Sequence, residues 1–252
     1  MVSTAILISL LLISLSCTST GMLFTEDGEL ECGGDNKAIV LENNPDAVNP
    51  TYDELIAFIE DDPTDKKEYI ENGPDAYVCA DFAEEVHNNA EAAGIRSGWV
   101  GITFEGTDAG HAINAFETTD KGLVYIDCTN GGNSEIADWD TIAFIQKGSK
   151  YGIIHIDRVQ SLSYNYYVEY EKRWHNYKIL LKDYNDEVDR YNNEISNKVF
   201  IAGSPEEISI NAWKDRLDEQ SEVLDKMEEE LGNNWYETEY SSYLVKSVLV
   251  HW

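Results

Sequence analysis

A cysteine becomes a nucleophile when a helix N-terminus or a neighbouring imidazole favours its thiolate. Of the four cysteines, Cys79 stands in the first turn of a predicted helix, Tyr77 to Ala93, whose inner face carries Cys79, Phe82, Ala83, Val86, Ala90 and Ala93 and whose stop is Gly94. Cys17 follows an apolar leader and Cys32 lies in a polar stretch. Cys128 follows Asp127 on a predicted strand, so those two side chains point to opposite faces. A base must then reach the thiol. His87 lies about 12 Å farther along the same helix and is out of range. His175 falls in a heptad region, and His155 and His251 lie on or at the end of predicted strands without a carboxylate to orient them. His111 opens a strand after Asp108-Ala109-Gly110, and the next strand carries Asp127. A turn centred on Thr119 puts His111 directly opposite Asp127 at cross-strand contact distance; a turn ending at Gly122 shifts the pairing by a few residues. The chemistry of such a set is acyl transfer. An imidazole takes the thiol proton, the thiolate attacks an amide carbonyl to give a thioester, and a carboxylate holds the imidazole tautomer. The Cys79 backbone N–H, at a helix start, is a natural oxyanion donor. The competing reading makes Cys79 an inert core residue and Asp127 a strand-end residue holding a turn. Tyr77, Trp99 and Trp139 are candidates for a groove wall or for core.

Four blocks follow one another in order: Tyr77-Val78-Cys79-Ala80-Asp81-Phe82-Ala83, Ala93-Gly94-Ile95-Arg96, Gly110-His111-Ala112-Ile113-Asn114, and Gly122-Leu123-Val124-Tyr125-Ile126-Asp127-Cys128-Thr129. Together they resemble the transglutaminase-like superfamily of papain-like thiol enzymes, over about residues 70 to 130, roughly a quarter of the chain. The resemblance implies Cys79 as nucleophile, His111 as base and Asp127 as orienting carboxylate. It also implies a substrate with a peptide or protein amide or isopeptide bond, resolved by hydrolysis or acyl transfer. One position departs: the family often has Trp two residues after the His, where this chain has Ile113, so the wall of the site differs. The cysteines have neither CxxC nor Cys/His zinc spacing, and no metal or cofactor is expected.

These residues need a scaffold. Thr51 is a good N-cap for a short helix through Ile59, stopped by Asp61-Asp62-Pro63. Strand-like runs follow at 98–104, 111–117, 122–128, 141–146 and 152–157. The expected fold is α+β, a papain-like or transglutaminase-like core in which a helix packs on an antiparallel sheet. From Tyr164 the period changes. Tyr167, Tyr170, Trp174, Tyr177, Leu181, Tyr184, Val188, Tyr191 and Ile195 form one heptad seam, and Ile210, Trp213, Leu217, Leu224, Met227 and Leu231 a second. Ser204-Pro205-Glu206-Glu207 opens the second helix and Gly232 closes it. An antiparallel coiled-coil hairpin results, either a structural insertion or a protein-docking arm. Leu244 to Val250 reads as a strand in need of a sheet. The expected organisation is a signal peptide at 1–16, a polar tether at 17–46, the core at 47–160, the hairpin at 161–239 and a returning strand at 240–252.

Met1 to Ser16 carries no charged side chain and its Ala5 to Leu15 run has the length of a secretory signal, with Ser14 and Ser16 at the positions of a cleavage site. Cys17 directly after it resembles the lipidated cysteine of exported lipoproteins; an uncleaved anchor is the alternative. Either places the domain outside the membrane, tethered at a cell surface. The 252 residues carry 18 Lys+Arg against 48 Asp+Glu, a net charge of −30, which excludes nucleic acid as a partner. In an oxidising exterior Cys32 and Cys128 are candidates for a disulfide that leaves Cys79 free. A second function class remains open on sequence alone, a non-catalytic cell-surface binding module with a coiled-coil docking arm.

Overall fold

The computed structural model describes residues 19–25, 28–129, 140–232 and 239–252; the leader, Cys17 and Trp139 lie outside the described residues. The fold is α+β and divides into two compact units, Met1–Ile156 with Tyr240–Trp252, and Asp157–Glu239. The first unit contains β1 (Ser19–Met22), β2 (Val40–Asn43), α1 (Tyr52–Asp61), α2 (Cys79–Ala92), β3 (Gly98–Phe104), β4 (Gly110–Thr118), β5 (Gly122–Asp127), β6 (Thr141–Phe144), β7 (Lys150–His155) and β8 (Glu239–His251).

Strands β3 to β7 pair antiparallel with their sequence neighbours, and β8 pairs with the free edge of β3. The sheet then closes on itself as a six-stranded barrel. Closure is made where Gly148 N–H donates to Val245 O and Val245 N–H to Ser149 O, each at 2.8 Å. The β3–β8 register shifts between Thr103 and Phe104, from Thr103↔Ser247 to Phe104↔Val245, which leaves Lys246 as an extra residue on β8 next to that contact. Closure removes both sheet edges, which a single helix on an open sheet would leave exposed. The interior is filled by alternate residues, Val100, Ile102 and Phe104 from β3, Ile113 and Ala115 from β4, with Ala143, Tyr151 and Val245. The residues between them face outward: Trp99 and Ala112 pack against Ala80 and Ala83 of α2. Asn114 Nδ2 donates to Ala83 O at 2.8 Å and ties the helix to β4.

Residues 17–46 are not a tether over their described part. β1 and β2 pair antiparallel, and Leu23, Ile39 and Leu41 bury themselves against α2. The helix also holds the backbone of this strap. Asp81 accepts from Gly34 N–H at 2.8 Å, Glu84 from Val40 N–H at 2.7 Å, Asn88 from Glu42 N–H at 2.8 Å and Glu91 from Asn44 N–H at 2.8 Å. These four acceptors recur every three or four residues along one helix face. His87 is buried with them as a neutral ring, 2.9 Å from Asn43 Oδ1, and burial pushes it down to about 4. The strap reads as polar because most of its side chains face water while its backbone groups bond the helix.

In the second unit α3 (Tyr164–Ile195) and α4 (Pro205–Leu231) pack on one another through Tyr170, Tyr177, Leu224 and Leu231, with Trp174, Leu181, Tyr184 and Met227 beside them. They run antiparallel: Tyr170 OH donates to Leu231 O at 3.3 Å near one end and Tyr191 meets Trp213 at 5.5 Å toward the other. Ser204 caps α4 by accepting from Glu207 N–H at 3.2 Å, with Pro205 in the first turn.

Ile39 is fully buried. Ile39→Ala is expected to cost about 3 kcal/mol in a urea unfolding experiment on the full chain, the usual cost of truncating a packed aliphatic side chain. A tether would lose nothing at this position.

Candidate active site

Cys79 is the first residue of α2, two residues later than the pattern from Tyr77 suggests. The helix starts here because Val78 is extended and Asp81 folds back to accept the Val78 N–H at 2.8 Å. The Asp81 carboxylate thus joins the helix start to Gly34 of the strap, and a Cβ added at Gly33 would come within 1.9 Å of its Oδ1. An antiparallel bridge between Ile70 and Tyr77 runs up to the same point, and the Tyr69 ring stacks on Phe82 at 6.2 Å. The Tyr69 hydroxyl faces the Cys79 backbone N–H, and burial together with the Cys79 side chain raises its pKa above the ordinary phenol value.

β4 and β5 meet in the register Thr118↔Gly122 to Asn114↔Ile126, centred on Asp120. This differs by two residues from a turn centred on Thr119. The tighter connection is fixed by Gly122 at φ 76° and by Thr118 Oγ1 donating to Gly122 O at 2.8 Å. Continued outward, the register sets Asp127 across from Ile113 rather than His111. A shift of two keeps side chains on the same face, so His111 and Asp127 become diagonal neighbours on the barrel-interior side. Their side chains meet: His111 Nε2 lies 2.8 Å from Asp127 Oδ2.

Asp127 is 3% exposed. Its Oδ2 also accepts the Tyr151 hydroxyl at 2.5 Å, and its Oδ1 accepts the Thr129 N–H at 2.9 Å. Burial alone would favour its protonated form; the imidazolium of His111 and these donors hold its pKa below the ordinary carboxylate value. An ionised carboxylate only accepts, so Nε2 carries the proton and Nδ1 is the ring nitrogen left for the thiol. The His111 side chain is 19% exposed. Its burial disfavours the imidazolium, yet the Asp127 charge and hydrogen bond, with a hydrogen bond to the Cys79 side chain, push its pKa up to about 10. The three residues singled out by sequence therefore converge on one end of the barrel, where α2 begins.

Two partners were not singled out by sequence. Tyr69 sits in a segment with no periodic pattern. Tyr151 lies one residue before the strand expected at 152–157; β7 starts earlier, at Lys150, behind a Gly-Ser-Lys stretch that reads as a turn. Tyr77 and Trp99 belong to the packing of α2. The Tyr77 hydroxyl donates to Glu85 Oε2 at 2.6 Å, and Trp99, 3% exposed, donates to Ala80 O at 3.4 Å. The expected Cys32–Cys128 disulfide is absent. Cys32 is exposed in the strap, whereas Cys128 is buried with its Sγ 3.6 Å from Asp140 Oδ1, and burial with that carboxylate raises its thiol pKa well above the usual value. Among the described residues no group of three His, Cys, Asp or Glu side chains is placed to hold a metal ion, and no helix is long and apolar enough to cross a membrane. No family model, curated protein or solved structure matches the chain.

The His111–Asp127 pair has a pH signature. The folded imidazole keeps its proton to about 10, whereas an unfolded one releases it near 6.5. Its contribution to stability is full below pH of about 6.5 and is lost as pH rises toward 10. The carboxylate's share is present above its unfolded value near 3.9 and is lost as pH falls further. Asp127→Asn removes the charge that opposes desolvation, so the His111 titration followed by NMR is expected to move down by more than one unit. An unchanged midpoint would mean that Asp127 does not control the ring.

Proposed function

We propose that this chain is an exported thiol enzyme of transglutaminase-like type, acting on amide, peptide or isopeptide bonds through a thioester at Cys79. In this reading the barrel and α2 are a transglutaminase-like core, and the α3–α4 unit is a coiled-coil hairpin inserted into it. The single observation that carries the reading is the chain of partners from thiol to imidazole to buried carboxylate, with His111 Nε2 2.8 Å from Asp127 Oδ2 and the Cys79 thiol as the ring's other partner. Export rests on the apolar leader Met1 to Ser16.

The steps follow from the chemistry of the groups. His111, whose pKa is raised to about 10, holds the proton of the Cys79–His111 pair as an imidazolium, and the thiolate beside it attacks the carbonyl carbon to form a C–S bond. The negative charge that develops on oxygen is met by the Cys79 backbone N–H at the start of α2, the substrate oxygen taking the place of the Tyr69 hydroxyl that faces this N–H in the free protein. The imidazolium then gives its proton to the departing amine as the C–N bond breaks, leaving a thioester. Water or a second amine, deprotonated by the same imidazole, resolves it. Asp127 keeps the tautomer and stabilises the imidazolium without itself taking a proton.

The test uses p-nitrophenyl acetate as a small acyl donor, with the acyl adduct located by peptide mass. The parent protein should carry the acetyl group on Cys79, and Cys79→Ala should abolish it with little change in stability. His111→Ala should slow acylation by about 10² to 10⁴. Asp127→Asn should do so by less, and the double variants should be scarcely worse than Cys79→Ala alone. Additive, independent losses at the three positions would overturn the enzyme reading.

A further inference from the structure

We infer that Tyr151 is a positioning residue of this site: its hydroxyl shares one carboxylate oxygen with His111 and so sets how strongly Asp127 holds the imidazole. The inference rests on the thiol-enzyme reading and deepens it.

Tyr151 is 7% exposed and belongs to the barrel core among Val100, Phe104 and Ile113. Its ring meets Phe104 edge-on at 6.2 Å and 76°. A phenylalanine fills such a place without a hydroxyl that burial would penalise unless it were bonded. The bond it makes is specific. Tyr151 donates to Asp127 Oδ2, the same oxygen that accepts His111 Nε2–H, and its ring also stands edge-on to the imidazole at 5.3 Å. The other carboxylate oxygen is held by the Thr129 N–H at 2.9 Å. Tyr151 and Thr129 together therefore fix the plane of the carboxylate, and His111 is aligned by an acceptor that cannot rotate.

The shared oxygen has a chemical consequence. Each donor draws electron density from Oδ2, so the phenol weakens the pull of that oxygen on the imidazole proton. Among the described residues, the titratable groups around Tyr151 and this pair include Cys79 from α2 and Cys128 just after β5, with Asp140, Asp62 and Asp65 acting on Cys128. With the phenol gone, Oδ2 becomes a stronger base, the imidazolium is held more tightly, and it becomes a poorer acid toward the leaving amine. A residue that only fills the core would change none of this.

Tyr151→Phe keeps the ring and removes the donor. In the full chain, the His111 titration followed by NMR is expected to move above its parent midpoint. The maximal rate of acylation by p-nitroacetanilide, an amide whose leaving aniline must be protonated, should fall about tenfold with KM unchanged, the worth of one hydrogen bond. Site-specific Tyr151→3-fluorotyrosine supplies a more acidic donor on an unchanged ring and should move the titration the other way, which keeps the test open if Tyr151→Phe folds poorly. Titrations that coincide with the parent in both variants would overturn the inference and leave the enzyme reading intact. A parent Cys79 that is not acylated would remove the enzyme reading, while the His111 titration would still decide the role of Tyr151.

Discussion

A carboxylate as deeply buried as that of Asp127 persists as an anion only when its oxygens find donors, because the loss of water otherwise outweighs any pairwise attraction. Here the donors come from three directions. β4 brings His111, β7 brings Tyr151, and the chain just beyond β5 turns the Thr129 N–H back. Remove any of these and either the charge or the position of the imidazole changes. The geometry of the thiol site is thus a by-product of satisfying one buried charge.

That constraint explains the demands on the scaffold. Tyr151 reaches Asp127 from the barrel interior, and the barrel is closed only because β8 returns to lie along β3 and to meet Ser149 at Val245. The helix that carries Cys79 is likewise pinned from both sides. Asn114 and Trp99 bond its carbonyls from the barrel, and the β1–β2 strap is held by Asp81, Glu84, Asn88 and Glu91 on another face. A thiol that must meet an imidazole within a few tenths of an ångström benefits from a helix that cannot slide.

The parts of this arrangement that obey a local rule were legible in the sequence. Cys79 at a helix start, β3 at Gly98–Phe104 and the capped start of α4 all follow from spacing and cap chemistry. Side-chain parity was legible too, and parity alone put His111 and Asp127 on one face even though the register differed by two residues. What did not show was set by long-range partners. The strap hid Ile39 and Leu41 among polar residues because its backbone is satisfied by a helix some forty residues away. Tyr151 hid behind a turn-like stretch because its role depends on a carboxylate from a different strand. The disulfide expectation failed for the same reason: Cys128 faces Asp140 in the interior, where Cys32 does not reach.

The central claim is that His111 activates Cys79, and the other thiols of the chain supply the control. Cys32 is exposed and Cys79 only half-buried, so on access alone Cys32 reacts first. The direct measurement is peptide mapping after treatment with limiting iodoacetamide at pH 6, where a free thiol, with a reference pKa of about 8.5, is almost wholly protonated. The account predicts that the Cys79 peptide is labelled ahead of the Cys32 peptide, and that the preference disappears in His111→Ala. Labelling of Cys32 first, with Cys79 indifferent to His111, would contradict it.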